Sequence, residues 1–198
     1  MSQREWEFPS KSEEVFKSDI DWQNNARIGW SHRAEQMYAQ GYKRAAEKLL
    51  EQFTDTNSEL DFLIYPIVFL YRHYVEITLK MIIQYDENSH GRYKRAMKSH
   101  DLMKLWEIAE PIIQEVYPEV DDEVLSSAWG VIKQIQDVDP GDSFRYATDI
   151  KGNRTLEDLQ HINIRNYADV MWKLSCLLDT VIEAYYYKWD CESEMNYL

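Results

Sequence analysis

Residues 60–85 read LDFLIYPIVFLYRHYVEITLKMIIQY and form the most apolar stretch of the sequence. Residues 62–71 are apolar on nearly all sides of a helix, which is typical of a helix enclosed by protein. Further on, Arg72, Glu76 and Lys80 are spaced four apart, so they share one side of that helix. The stretch therefore predicts a central helix with one charged stripe, which is either a structural ion-pair ladder or the wall of a site.

Four other stretches repeat their apolar residues at spacings of three and four, the pattern of amphipathic helices. They predict helix one at residues 31–53, helix three from a Ser99 cap to about 118, helix four from about 121 to 138, and helix five from 155 to about 189. Thr155 is expected to cap helix five, with Asp158 as its capping-box partner.

Residues 139–154, DPGDSFRYATDIKGNR, are the one substantial irregular stretch between the predicted helices. Their turn-forming residues predict a short irregular loop or hairpin before the last helix. The fold class is therefore all-α, an up-and-down bundle of about five helices. We expect an N-terminal arm at residues 1–30, the bundle at 31–190 and an acidic tail at 191–198.

The charge of the chain is unevenly spread. The formal net charge is −13, and residues 101–198 hold twenty Asp and Glu but only eight Lys and Arg. Such a surface repels phosphates, so indiscriminate binding to DNA or RNA is not expected. A basic segment at residues 90–100 is the local exception, and it is the natural place for a phosphate group. Its basic residues are His90, Arg92, Lys94, Arg95, Lys98 and His100.

The sequence lacks the motifs that mark several functional classes. The apolar run is too short to span a bilayer, and no secretory signal stands at the N-terminus, so a cytoplasmic protein without membrane association is expected. The two cysteines, Cys176 and Cys191, form neither a disulfide framework nor a metal pattern. There is no glycine-rich phosphate loop and no nucleophile motif. Neither a metal nor a cofactor is therefore expected.

The central helix carries EITLK at residues 76–80, a basic loop follows, and HDLMKL stands at residues 100–105. This arrangement resembles the HEPN superfamily, small helical bundles of bacteria and eukaryotes with E-x-x-L-K on a central helix and H-x-L-x-x-L opening the next. The resemblance covers roughly residues 31–190. It implies a module that binds RNA, a nucleotide or a partner protein such as a nucleotidyltransferase, in a defence or toxin–antitoxin setting.

Many members of that superfamily are metal-independent ribonucleases with an R-x(4–6)-H motif near the start of the last helix. A histidine can move a proton to or from the ribose hydroxyl, and an arginine can hold the phosphate as negative charge develops. Three pairs have a comparable spacing: Arg27 with His32, Arg95 with His100, and Arg154 with His161. We take Arg154 and His161 as the candidate catalytic pair, because they open predicted helix five and would share one face of it. The competing interpretation makes both residues structural.

The candidate ligand-binding residues are Arg72, His73, Glu76, Arg95, His100 and Arg145. Each has a structural alternative: an ion-pair ladder for the central stripe, a helix-start hydrogen bond for His100, and a loop anchor for Arg145. The alternative to a ligand-binding module is a protein-interaction or scaffold module without enzymatic activity. HEPN-like domains commonly pair, and the three successive tyrosines at residues 185–187 cannot all face one core, so a homodimer is predicted.

Overall fold

The computed structural model describes residues 8–29, 31, 33–53, 59–90 and 96–195. Within these ranges the chain forms five α-helices, with no strand beyond one isolated bridge, which confirms the predicted all-α class. The helices are α1 (Ala34–Leu50), α2 (Leu60–His90), α3 (Leu102–Val116), α4 (Asp122–Val138) and α5 (Ile164–Met195). Short 3₁₀ turns lie at Trp22–Asn24 and Ala96–Lys98. None of the described helices is both long and apolar enough to cross a membrane.

The chain divides into two compact units, Met1–Ala34 and Glu35–Leu198. In the described part of the first unit, Asp19 and Asn25 close a small loop around the Trp22–Asn24 turn. The Asp19 amide donates to Asn25 Oδ1 at 3.0 Å, and the Asn25 side chain donates to the Asp19 carbonyl at 2.7 Å. The five-helix bundle belongs to the second unit.

Helix α2 is the centre of the bundle, as its composition predicts. It packs against α3, α5 and the Ala96–Lys98 turn, and α3 also contacts α4 and α5. Its side chains are buried on several sides between Ile67 and Ile83. The first turns differ from the prediction, because Phe62 is 76 % exposed and Tyr65 is 48 % exposed. An apolar run shows what a helix could bury, but the neighbouring helices decide how far along it burial extends.

Helix α3 contributes its regularly spaced apolar residues to the core. Its residues at spacings of three and four are all buried: Leu102, Leu105, Trp106, Ala109, Ile112 and Ile113. Burying one such Leu or Ile side chain stabilises the fold by about 1.5–3 kcal/mol relative to leaving it exposed. A cavity-forming change such as Leu105→Ala is therefore expected to cost about 2–5 kcal/mol.

The predicted cap of helix three is wrong by two residues. Asp101 is the N-cap of α3, and its Oδ1 accepts hydrogen bonds from the amides of Met103 and Lys104 at 3.1 and 3.2 Å. A carboxylate in this position also interacts favourably with the helix dipole. Ser99 supports the turn before it, since its hydroxyl accepts from the Asp101 amide at 3.1 Å.

The predicted start of helix five is also wrong. Helix α5 begins at Ile164, and Asn163 supports its first turn by accepting from the Asn166 amide at 3.0 Å. Thr155 lies in the preceding loop, where its hydroxyl lies 3.0 Å from the Ser143 carbonyl and 2.7 Å from the Tyr146 carbonyl. A threonine hydroxyl that serves loop carbonyls is not available to cap a helix, so the capping box does not form.

The irregular stretch is confirmed, and it extends to residue 163. Only one bridge, between Thr148 and Arg154, joins its two arms in an antiparallel manner. Between them, Asp149 Oδ1 accepts from the amides of Lys151 and Asn153 at 2.8 and 2.9 Å. The loop is therefore ordered by side-chain hydrogen bonds together with backbone ones, such as that from the Asp149 amide to the Asn153 carbonyl at 2.8 Å. At the other end, α5 continues to Met195, so the first residues of the predicted tail are helical.

Candidate functional site

The charged stripe of α2 lies in the interior of the bundle. Arg72 and Glu76 are each 3 % exposed, and they meet the segment that leads into α3 and the C-terminal end of α4. We call the set Arg72, Glu76, Lys80, His100 and Asp139 the Arg72 cluster. Burying charged groups is costly unless they are paired and hydrogen-bonded, so the geometry of the cluster decides whether it can exist.

Arg72 uses all three guanidinium nitrogens. Nη1 donates to Glu76 Oε2 at 3.0 Å, Nη2 to the His100 carbonyl at 2.9 Å, and Nε to the Asp139 carbonyl at 3.0 Å. The planar fork of an arginine suits this arrangement, which a lysine could not reproduce. One side chain of α2 thus holds the start of α3 and the end of α4.

Glu76 is fully used as an acceptor. Its Oε1 accepts from Lys80 Nζ at 2.8 Å and lies 2.8 Å from His100 Nδ1, while Oε2 faces Arg72. Burial by itself raises the pKa of the Glu76 carboxyl. The hydrogen bonds and charges of Lys80, with the hydrogen bonds of His100 and Arg72, outweigh burial and hold that pKa below its usual value. The ionised carboxylate is therefore the stable form inside the bundle.

His100 is the exposed end of the cluster. Its side chain is 73 % exposed, although its carbonyl is bound by Arg72 and its Nδ1 faces buried Glu76. The carboxylate accepts the Nδ1 hydrogen, so we assign the neutral tautomer with Nε2 as an acceptor; the protonated ring donates from Nε2 instead. Such a ring is held at a fixed orientation and can bind an anion or move a proton.

His73 lies beside this cluster and has a different role. Its ring packs edge-on against Tyr42 at 4.5 Å and stacks on Phe69 at 5.7 Å. Burial lowers the pKa of His73, and nearby cations lower it further against the opposing effect of Glu76. The described contacts of His73 are thus those of an aromatic packing residue.

Arg145 stands on aromatic rings. Its guanidinium carbon lies 5.7 Å from the Phe69 ring centre and 5.1 Å from that of Tyr146, and its Nη2 donates to the Tyr146 hydroxyl at 3.2 Å. With Tyr65 and Phe144 these residues line a shallow pocket of about 350 Å³. Arg145 is therefore an exposed cation on an aromatic surface, outside the hydrogen bonds of the Arg72 cluster.

The candidate pair Arg154 and His161 has a different setting from the one expected. Because α5 begins at Ile164, both residues lie in the loop before it and do not share a helical face. Arg154 is exposed and forms the bridge with Thr148, whereas His161 is exposed and lines a cavity to which Arg154 does not contribute. Their catalytic role remains a prediction.

Part of the predicted basic site lies outside the described residues. This holds for Arg92, Lys94 and Arg95, for the side chain of His90, and for His32 of the Arg27 pair. Of the basic segment, Lys98 and His100 are described, and both side chains are exposed.

The structure adds Asp139 to the candidate site. The sequence indicated it only as a residue that stops helix four, where it is indeed the C-cap of α4. It is 1 % exposed, and its Oδ1 accepts from the amides of Gly141 and Ser143 at 2.9 Å. An acidic residue at a helix C-terminus is electrostatically unfavourable, so its position was the one signal that it has a partner elsewhere. That partner is Arg72.

Next to Asp139, α2, α4, α5 and the 139–163 loop line a half-open cavity of about 370 Å³. Its wall is mainly apolar. Among the side chains of the described chain, no three His, Cys, Asp or Glu residues converge in a way that would hold a metal ion. Comparisons of the chain with protein-family models, curated proteins and solved structures give no match.

Proposed function

We propose that the chain is an HEPN-like binding module whose site is the exposed ring of His100 together with the basic segment at residues 90–100. Its ligand is the phosphate group of an RNA or a nucleotide. The observation that supports this most strongly is the pairing of exposed His100 with buried Glu76 at 2.8 Å. The carboxylate fixes the orientation of the ring through Nδ1, and it leaves Nε2 to contact a ligand.

Electrostatics favour this one edge of the molecule. The Glu76 carboxylate holds Nδ1 of the His100 ring, so Nε2 faces away from it and can donate to a phosphate oxygen when the ring is protonated. Lys98 is exposed close by in sequence, and three further basic residues precede it at 92–95. The acidic remainder of the chain repels a long polyanion, so the ligand is a nucleotide or a short or structured RNA.

Binding is tested by titrating the purified chain with adenosine monophosphate and with a short single-stranded RNA while following histidine ring signals by NMR. The His100 signals should shift on binding, and His100→Ala should weaken binding by roughly tenfold or more, the range for a lost charge-assisted hydrogen bond. Lys173→Ala, at an exposed lysine of α5 outside the candidate sites, is the control and should leave the dissociation constant unchanged. Equal affinity of the wild type and His100→Ala contradicts the proposal.

A ribonuclease activity is the second candidate function, and the carboxylate-held imidazole of His100 favours it. In such a reaction the ribose 2′-hydroxyl attacks the phosphorus, the 5′-oxygen leaves, and a cyclic phosphate remains. A histidine accepts the hydroxyl proton or gives one to the leaving oxygen, and an arginine stabilises the charge. The arginine is Arg95 if His100 acts, and Arg154 if His161 acts.

The two pairs are separated by assaying total transfer RNA in the presence of EDTA. Alanine at the active histidine should reduce cleavage by about 100-fold or more, the usual contribution of a general acid or base. Alanine at the other histidine should have no effect. If both variants give the wild-type pattern, neither histidine is catalytic, and the chain acts by binding alone.

The self-association expected from the sequence is also part of the proposal. On α5, Tyr186 is buried, whereas Tyr187 is 75 % exposed and Trp189 is 57 % exposed. Tyr187 and Trp189 are two residues apart and so lie on different sides of the helix. We propose that two copies of the chain pair through the side of α5 that carries Tyr187. Light scattering at micromolar concentration should give twice the monomer mass, and Tyr187→Glu should lower it.

A monomeric wild type that binds neither nucleotide nor RNA favours the scaffold alternative, with a protein such as a nucleotidyltransferase as partner.

A further inference from the structure

The cavity beside Asp139 has the size and wall of a small-molecule site. Its volume of about 370 Å³ lies within the range of 300–1,000 Å³ typical of ligand pockets. Apolar side chains from three helices and the loop form most of the wall, among them Val68, Val131, Ile135, Phe144, Val170 and Met171. This wall selects an apolar ligand over a charged one.

The wall also has polar residues, among them Gln134, His161, Asn163 and Asn166. Two others, Asp139 and Tyr167, each carry a buried polar atom that has no hydrogen-bond partner in the described part of the chain. Asp139 Oδ2 accepts no hydrogen bond from any donor in the described part of the chain, although the residue is 1 % exposed. Arg72 Nε lies 3.6 Å from it, which gives charge attraction without a hydrogen bond. The Tyr167 hydroxyl also lacks a hydrogen-bond partner among the described residues. Both residues line the cavity.

The two atoms belong to one electrostatic environment. Burial raises the pKa of Tyr167, and the charges of Tyr71 and Asp139 raise it further, so the hydroxyl keeps its hydrogen. Asp139 Oδ2 is thus an acceptor in need of a donor, and the Tyr167 hydroxyl is a donor in need of an acceptor. Buried polar groups in proteins are nearly always satisfied, and leaving them unpaired is costly.

We propose that this cavity binds a small, largely apolar molecule bearing one hydroxyl group, which donates to Asp139 Oδ2. The same hydroxyl oxygen can accept from Tyr167, because a hydroxyl is both donor and acceptor. A carboxylate or phosphate ligand is disfavoured by the charge of Asp139. This site is therefore chemically distinct from the phosphate site proposed at His100, and it does not depend on it.

Thymol and p-cymene test the proposal, because they share one carbon skeleton and differ only in the thymol hydroxyl. A purely apolar cavity prefers p-cymene, since moving an unpaired hydroxyl out of water is costly. A cavity with Asp139 Oδ2 at its wall prefers thymol, by roughly tenfold for a hydrogen bond to a charged acceptor. Binding is followed through the methyl signal of Met171, with that of Met81, which is buried outside this cavity, as the internal reference.

Three variants define the site. Val131→Phe fills the cavity and should abolish binding of both compounds, whereas Val124→Phe on the same helix, outside the cavity, should leave both affinities unchanged. Tyr167→Phe should weaken thymol several-fold and leave p-cymene unaffected. Circular dichroism and thermal unfolding establish that each variant is folded, and Val170→Phe replaces Val131→Phe as the cavity-filling variant if the latter does not fold.

The outcomes of these measurements either support or overturn the proposed hydroxyl-binding site. Saturable binding at Met171 with thymol preferred, and lost in Val131→Phe, supports the proposal. Equal or tighter binding of p-cymene overturns it, because the hydroxyl then finds no partner. No shift of the Met171 signal with either compound at millimolar thymol and saturating p-cymene also overturns it.

Discussion

His100 Nδ1 lies 2.8 Å from Glu76 Oε1, so a ring that is largely in solvent is held by a carboxylate that is 3 % exposed. The position of His100 therefore depends on α2 as much as on its own segment. A substitution deep in the bundle can change the chemistry available at the surface without touching any surface residue. The stability of the Arg72 cluster is accordingly the first property to measure.

Glu76→Gln should destabilise the protein by about 3 kcal/mol, because it removes the carboxylate that pairs with buried Arg72 at 3.0 Å and with Lys80 at 2.8 Å. The free energy of unfolding is measured by urea denaturation followed by circular dichroism. Asp169→Asn is the control, since it breaks the exposed pair with Lys173 at 2.6 Å, and it should cost less than about 1 kcal/mol. Equal effects of the two changes would show that the buried pair is no stronger than a surface one.

Acid should weaken the protein through the same carboxyl. The pKa of Glu76 is lower in the folded chain than in the unfolded chain. Its contribution to stability is therefore complete above the unfolded pKa and disappears as the pH falls through the folded pKa. Urea midpoints should fall below about pH 4.3, the ordinary value of a glutamic acid. Glu76→Gln should have a flatter profile there, and parallel profiles would rule Glu76 out as the cause.

The protonation of His73 should lower the stability of the protein at a higher pH than that of Glu76. The folded state lowers its pKa, mainly through burial, so the unfolded chain takes up a proton first as the pH falls below about 6.5. Stability should decline from there towards the folded pKa. His73→Phe preserves the aromatic contacts and removes the titration, so its thermal midpoint should vary less than that of the wild type between pH 7 and pH 5. An unchanged slope would assign this pH dependence to another group.

Thr155→Val should loosen the loop before α5. The change removes the hydroxyl shared by the carbonyls of Ser143 and Tyr146, at a cost of about 1 kcal/mol. Hydrogen exchange of the Thr155 amide, which donates to the Ala147 carbonyl at 3.3 Å, should become faster. Thr180→Val removes a hydroxyl bonded within α5, and it should leave that amide unaffected.

The sequence predicted those features that depend on near neighbours in the chain. The spacing of Arg72, Glu76 and Lys80 indicated their common stripe, and the ion pairs within α2 follow from it. Asp139 could not be predicted as the partner of Arg72, since it lies 67 residues away and only the packing of α4 brings it there. A one-dimensional pattern holds no information on which helix ends meet.

The start of α5 was missed for a related reason. Thr155, Asp158 and the leucines that follow have the local pattern of a capped amphipathic helix. In the folded chain the Thr155 hydroxyl bonds to the loop, and Asn163 supports the first turn of the helix. Local preference was overridden by contacts with residues that precede the pattern, so the proposed pairing of Arg154 and His161 on one face was lost with it.

Arg72 also fixes how the helices are aligned along one another. An apolar interface between α2 and its neighbours tolerates a slip of one turn, about 5.4 Å, because one aliphatic side chain can replace another. The same slip would carry the guanidinium away from the carbonyls of His100 and Asp139 and leave two of its buried nitrogens without a hydrogen-bond acceptor. The Arg72 cluster thus fixes the register of the three helices, because it favours the native alignment over shifted alignments that would bury as much apolar surface.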